Sequence, residues 1–410
     1  MNKMQSTMVT GATLLAGMSA VGAAESTPLY KIGEVEVRPH LTYSMVYDDN
    51  IFLEHKSHVA NIGNPGRDHD WISTITPGLR LNAGDVQQRQ SAFFDANYEA
   101  AILRFANNTG SDAVDHNAKL DFGGKLNRLG VKVSQGLSSY SDADVHLLTA
   151  NGRTKRKIWD TAAEANYEVS EKTSATLDFV QTISDYASPA FVDTVERSGH
   201  LWMDYQVLPK VKMGAGVGGG YLQVDNTPTV NNPNSAYYNG QVRLAWQATE
   251  KVTVNGRGGV ESRHYQGQGV DRLGVIFGVG ATWKATDTTG VTLQLDRGSK
   301  PSNANGNTVN EETTIQLSVK QTLADNMSLT LDGGYTMSVY RSSTANAATL
   351  LASAIHDDDY YFIKPGLSYR FNERAQASVY YQYRRNNSDL TGNQNDFYGN
   401  QLGVELTYRF

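Results

Sequence analysis

The chain has 410 residues and a formal net charge of -6, with both signs scattered along its length, so it lacks the basic footprint of a nucleic-acid binder. It has no cysteine, which excludes disulfides and thiolate metal sites, and its 22 tyrosines and 38 glycines against 10 prolines favour strands and turns. After about the first 25 residues no apolar run approaches the roughly 20 that a membrane-crossing helix needs, so any passage through a membrane must use strands.

At the N-terminus, Lys3 precedes the modestly apolar stretch "MVTGATLLAGMSAVG", and "GAA" before Glu25 places small residues where a signal peptidase reads. Residues 1–24 are therefore expected to be a cleaved secretory signal, with a disordered tail as the alternative. The remainder, 25–410, reads as one unit.

From Glu25 onward a two-residue apolar period recurs, broken alternately by short polar turns and by longer loops rich in Asn, Asp, Ser and Gly. Short breaks such as "LNRLG", "VLPKV" and "FNERA" alternate with long ones such as "DDNIFLEHKSHVANIGNPGRDHD", "GSKPSNANGNTVN" and "RSSTANAATLLASAIHDDD". The alternation predicts an all-β, transmembrane, antiparallel up-and-down β-barrel of about 18 strands, within a range of 16 to 18. Short turns would lie on the periplasmic side together with both termini, and long loops outside. A soluble β-sandwich also alternates, but its strands are seldom so many or its connections so regular.

Single strands carry the pattern. In "KIWDTAAEANYEV" Trp159, Ala163, Ala165, Tyr167 and Val169 share one face, with Asp160, Glu164, Asn166 and Glu168 on the other. In "DRLGVIFGVGATWKA" Leu273, Val275, Phe277, Val279, Ala281 and Trp283 oppose Arg272, Gly274, Gly278, Gly280, Thr282 and Lys284. Trp71, Tyr167, Tyr205, Trp246, Trp283, Tyr361, Tyr369 and Phe371 stand near strand ends, where amphipathic rings anchor at lipid headgroups. Outer-membrane lipid and lipopolysaccharide are the expected surroundings.

If the apolar phase meets lipid, the polar phase lines a bore wide enough for water. The candidate lining is Arg38, Lys119, Lys125, Lys132, Lys212, Arg243, Arg257, Arg263, Arg272, Lys284, Lys320, Asp332, Lys364, Arg370 and Arg384, together with Asp121, Asp160, Glu164, Asp178, Glu261, Asp296, Glu405 and Arg409. Basic residues predominate in this set, which would favour anionic solutes. The competing reading is that the charges pair across neighbouring strands and only make the wall wettable.

Catalytic signatures are sparse. His55 and His58 lie near Asp68, His69 and Asp70, and His356 precedes Asp357, Asp358 and Asp359; solvated acidic loops are the simpler reading of both groups. No HExxH, GxSxG or phosphate loop occurs, and no metal or other cofactor is expected. "GVGGGY" lies within a strand, where small residues relieve crowding or permit curvature. The sequence indicates a barrel that is not an enzyme; a rim hydrolase or a closed structural or adhesin-like barrel is the less favoured reading.

The first strand and its exit, "VEVRPHLTYSMVYDDNIFL", with Asp48, Asp49, Asn50 and Ile51, and the second, "WISTITPGLRLNAG", with Ile75, Pro77, Gly78 and Leu79, resemble the β-barrel porins found with exopolysaccharide biosynthesis clusters. "YFIKPGLSYRFNERAQASVYYQYRRNNSD" is similar to that family's late hairpin. The resemblance implies a bacterial outer-membrane location and a part in polysaccharide export, with polysaccharide and periplasmic export components as partners. It supplies no catalytic residues. The residues themselves suggest a turn at Asp48–Asn50 in which side chains bond nearby backbone donors. A general diffusion porin for small solutes is the alternative function.

The chain ends "QLGVELTYRF", with Leu402, Val404, Leu406, Tyr408 and Phe410 in one phase. This reads as the closing strand, pairing with the first. Tyr408 and the terminal Phe410 resemble the sorting signal read by the barrel assembly machinery.

Overall fold

The computed structural model describes residues 30–55, 67–84, 91–143, 153–189, 191–225, 233–267, 271–304, 307–341, 356–389 and 395–410. The expected signal segment, 1–24, lies outside these residues, as do His58 and the apolar stretch of the "RSSTANAATLLASAIHDDD" loop. Strands β1 (Tyr30–Ile32), β2 (Val35–Asp48), β3 (Asp70–Gly84), β4 (Phe93–Phe105), β5 (Ala113–Leu126), β6 (Leu129–Tyr140), β7 (Arg156–Glu168), β8 (Thr173–Tyr186) and β9 (Thr194–Leu208) form one half of the wall. The other half is β10 (Val211–Val224), β11 (Ser235–Gln247), β12 (Val252–Tyr265), β13 (Arg272–Lys284), β14 (Thr289–Ala304), β15 (Asn307–Ala324), β16 (Met327–Tyr340), β17 (His356–Arg370), β18 (Ala375–Ser388) and β19 (Phe397–Arg409).

Each strand pairs antiparallel with its sequence neighbour, and β19 pairs with β2, from Gln401 opposite Asp48 to Arg409 opposite His40. The 18 long strands thus make a closed ring, which removes the free edges that an open sheet would expose. The short β1 is an addition that the periodicity did not signal. Its hairpin, turning through Gly33 at φ +63°, lays Tyr30–Ile32 against Val35–Val37 of β2, below the level where β19 runs out. Phe410 N donates to Pro39 O at 3.1 Å, so the chain terminus and β1 between them cover the β2 edge.

Local chemistry explains the short turns. Leu126 pairs with Leu129 across the two-residue turn Asn127–Arg128, and Asn127 takes φ +52°, a left-handed conformation that asparagine tolerates better than most residues. At the long end, β14 and β15 overturn an expectation. "GSKPSNANGNTVN" reads as a loop, yet the β14–β15 ladder continues to Pro301 opposite Val309 and Ala304 opposite Asn307. Polar composition misled here because rungs are made by backbone groups, which need no apolar side chains. Likewise His356 and Asp357–Asp359 belong to β17 and not to a loop.

Large apolar side chains such as Leu41, Tyr43, Trp71, Leu177, Leu201, Trp246, Trp283, Leu293, Leu317, Val404 and Leu406 remain exposed on the outer face. In water such a belt would be a liability; in hydrocarbon it is the wetted surface. Among the described residues, buried apolar groups form small clusters, two of them inside the ring at its long-loop end, rather than one core.

Candidate functional site: the bore and its narrowings

In an antiparallel sheet, directly opposed residues share a face. Starting from Asp332 opposite Lys364 and Ser318, or Arg243 opposite Arg257 and Gly214, the register carries one continuous polar row round the inside of the ring. On this inward row lie Arg38, Lys119, Lys125, Lys132, Lys212, Arg243, Arg257, Arg263, Arg272, Lys284, Lys320, Asp332, Lys364, Arg370 and Arg384. Tyr408 and Phe410 fall on the opposite, outward row, with their rings edge-to-face at 5.1 Å.

The basic excess read from the sequence does not survive the register. Glu36, Asp48, Asp95, Glu99, Glu168, Glu196 and Asp204 also face inward and offset it. Most of the cations have an acid within reach. Arg38 meets Glu36 at 2.7 Å, Lys125 meets Glu168 at 2.7 Å and Arg384 meets Asp48 at 2.7 Å. Asp121 receives both Lys119 at 3.4 Å and Lys132 at 3.8 Å. Buried Asp204 accepts from Arg243 Nε at 2.7 Å and lies 3.6 Å from Lys212. Arg257 stands 3.7 Å from Asp296, and Lys364 rests over the Tyr380 ring at 4.1 Å. Arg80, which the sequence reading passed over, makes a two-pronged bond to Asp95 at 3.1 and 2.7 Å. The alternation starting at Trp71 contained that signal, since it places residue 80 in the inward phase. The bore wall is therefore a quilt of ion pairs, polar but locally balanced.

One panel of this wall depends on glycine. Between Lys212 and Leu222 the inward positions of β10 are Gly214, Gly216, Gly218 and Gly220, and a Cβ on any of them would collide with Asp204, Trp202, His200 or Tyr237. "GVGGGY" is thus a recess into which the large side chains of β9 and β11 lie down. Trp202 lies flat there, beneath the Arg243 guanidinium at 4.4 Å from its ring and with Nε1 donating to Asp178 at 3.2 Å.

Among the described residues, two apolar clusters lie at the long-loop end. The first begins with the exit of β2. Asn50 N donates to Asp48 Oδ1 at 2.9 Å, and Asn50 Nδ2 donates to Glu54 O and Tyr398 O, both at 2.9 Å. Asp49 accepts from Asn400 N and Nδ2, each at 2.7 Å, and from Arg67 at 3.1 Å. This network turns the segment inward, so that Ile51 and Phe52 bury themselves against Ile72, Leu103 and Phe105. The Asp-Asp-Asn-Ile motif is a staple that fastens the first loop to the closing seam. The second cluster, Val192, Leu222, Val224, Tyr265 and Val309, joins strands that are not neighbours in the wall, because β14–β15 leans into the bore to reach β9, β10 and β12.

The His and Asp groups do not converge. His356 is buried, stacked on Tyr340 at 4.2 Å between ring centroids and 3.7 Å from Asp358. Asp70 is consumed by Asn107 and Asn108, whose backbone and side-chain nitrogens donate to it at 2.7 to 3.2 Å. Among the described residues no three His, Asp or Glu side chains are grouped to hold a metal ion.

A closed transmembrane ring with an apolar outside and a polar, ion-paired inside defines an outer-membrane β-barrel of the porin and channel class. Over residues 30–410 the chain matches the family described as "Putative beta-barrel porin 2", and it belongs to that family. No curated protein matches it. Among solved structures it is similar to the outer membrane channel DcaP of Acinetobacter baumannii, at 14% identity over 92% of this chain and 97% of that one, TM-score 0.47. It is also similar to Pseudomonas aeruginosa OccK2 (OpdF), at 12% identity over 91% and 98%, TM-score 0.46. Acinetobacter baumannii OccAB4 follows at 13% identity over 92% and 98%, TM-score 0.46.

Proposed function

We propose that this barrel is a passive, water-filled passage for small polar solutes, lined by the inward charged row and restricted at its mouth by the two apolar clusters. The observation that carries the reading is the ring of paired charges on the inward row. A dry, structural barrel would fill its interior with apolar side chains, whereas this wall also keeps half-exposed cations, Lys119, Lys132 and Arg257, whose outer parts favour water beside them. Locally balanced pairs present short-range fields of both signs, which suits selection by size and dipole more than bulk selection by charge. The inturned Ile51, Phe52 and Val309 favour small solutes over a polymer. Passage of an exopolysaccharide rests on the sequence resemblance, and no contact in the bore adds to it.

Conductance of the purified protein in planar bilayers tests the proposal. Stepwise, ohmic current is expected. A folded, inserted barrel that carries no current, even after the first long loop is shortened, would overturn it.

A further inference from the structure

The β14–β15 hairpin parts from its neighbour partway up the wall. The β13–β14 ladder ends at Phe277 opposite Arg297, whereas β12–β13 continues to Arg263 opposite Arg272 and β14–β15 to Ala304 opposite Asn307. Among the described residues, Arg272–Ile276 therefore have β12 on one side and no rung to β14 on the other. The parting comes at a glycine. Gly298 follows the last rung, with open space where its Cβ would stand, so β14 can bend there at little steric cost.

Above Gly298 the hairpin leans inward. Val309 packs with Val192, Leu222, Val224 and Tyr265, which lie on or beside β9, β10 and β12. Three nearby ion pairs do not tie the hairpin to those strands. Arg263 meets Glu261 at 3.1 Å within β12, Glu311 meets Arg297 at 2.8 Å between β15 and β14, and Arg341 meets Asp357 at 3.2 Å beside β16 and β17. These pairs keep their partners when the hairpin moves, so they set no barrier to it; the apolar contact of Val309 does.

A second seat exists in the wall. Continuing the register past Phe277 and Arg297 sets Gly298 opposite Ile276, Ser299 opposite Val275 and Lys300 opposite Gly274. Leu273 and Val275 are exposed on the outer face, which places this β13 edge within the apolar belt. The wall seat gives that edge backbone partners, a strong gain where lipid offers none. It also undoes the Val309 cluster and turns Ser299 and the Arg297–Glu311 pair, all of the outward phase, toward lipid. Each seat satisfies what the other leaves bare, the condition for a two-state element.

We propose that the β14–β15 hairpin is a gate. Seated against Leu222 and Val224 it occupies part of the bore; seated beside β13 it completes the wall and clears that space. The gate's effect on flow rests on the passage proposed above, and its motion does not.

Because the chain has no cysteine, one introduced thiol can report the motion. Gly274 lines a cleft with Ser299 and Glu311 of the inward hairpin, while Gly280 lies lower on the same row, where β13 is paired on both sides. A Cβ at either position meets nothing within 4 Å, so Gly274→Cys and Gly280→Cys should fold. Both are treated, in nanodiscs, with a charged, water-soluble thiol reagent. Adding Leu222→Asn, which weakens only the inward seat, should speed labelling of Gly274→Cys by about tenfold, the factor expected from losing one buried leucine contact. Leu222→Met keeps the apolar contact and should leave the rate near that of the parent. Labelling of Gly280→Cys should be the same in every background. In planar bilayers Leu222→Asn should lengthen the time spent in the larger of two conductance levels by the same factor. An unchanged Gly274→Cys rate would show that the hairpin does not move, and an equal rise at Gly280→Cys would show general loosening; either overturns the gate. Faster labelling at Gly274→Cys alone, with no current from any variant, would uphold the motion and defeat the passage.

Discussion

Arg384 Nη2 donates to Asp48 Oδ2 at 2.7 Å by reaching over Gly399 on the intervening strand, so that a residue of β18 holds a residue of β2 across the seam that closes the barrel. The same Asp48 oxygen accepts from Gln401 Nε2 at 2.8 Å, and the side chain also caps the Asn50 N–H. Both charged groups are largely removed from solvent. Arg384→Gln or Asp48→Asn strands the other charge, and such a loss costs on the order of 3–5 kcal/mol when burial is complete. Each single variant should lose its compact electrophoretic form at lower temperature than the parent in a heat-modifiability assay. The double variant should recover part of the difference. Identical midpoints for all four proteins would show that the seam does not depend on this pair.

Asp204 serves two cations, Arg243 and Lys212. Neutralising it as Asp204→Asn leaves their positive charge uncompensated at the bore wall. Reversal potentials under a salt gradient should shift toward anion preference, and the shift should shrink as ionic strength rises and screening shortens. An unchanged reversal potential would remove this wall panel from the conduction path.

The glycine recess makes a graded prediction. Gly216→Val drives a branched side chain into Trp202, and Gly218→Val does the same to His200. Overpacking of this kind costs about 1–3 kcal/mol. Urea titration of the protein refolded in detergent or lipid should show both variants weakened, while Gly274→Ala, which meets open space, should match the parent.

Phe410 has its backbone N–H bonded to Pro39 and its ring set against Tyr408. Deleting it should lower the yield of folded barrel in the outer membrane. Single-channel conductance of the molecules that do assemble should stay the same. Normal yield from the deletion would count against a sorting role for this terminus.

Asp193 lies outside the strands, where its Oδ1 accepts the Tyr186 N–H at 2.7 Å. Burial, joined by the charges of Asp185 and Asp225, raises its carboxyl above the ordinary carboxylate range. A raised folded-state value means that the protonated form is favoured in the fold, so the ionised group detracts from stability near neutrality and the penalty fades as pH falls. Asp193→Asn keeps the acceptor and drops the charge. It should slow protease nicking of this loop at neutral pH, and the advantage over the parent should fade as the pH falls and the parent's carboxyl takes up its proton. An advantage that persists unchanged in acid would rule out titration of Asp193 as its source.

The two-residue period is a local property, and it indicated by itself which side chains share a face, that there are about 18 long strands and that the ends meet. Alternation is imposed by the backbone within each strand, so "QLGVELTYRF" announces Leu402 and Phe410 on one side and Glu405 and Arg409 on the other without reference to a partner. What lies across a rung is a different matter. The union of Asp48 with Arg384, the sharing of Asp204 by Arg243 and Lys212, and the burial of Ile51 against Phe105 depend on registers between segments distant in the chain. Composition also failed where backbone bonding overrode it. "GSKPSNANGNTVN" looks like a loop, yet it holds a ladder, because hydrogen bonds between strands do not consult side-chain polarity. The inward lean of β14–β15 was not legible at all. It arises from Val309 finding apolar partners on the far wall, a contact that exists only once the ring has closed.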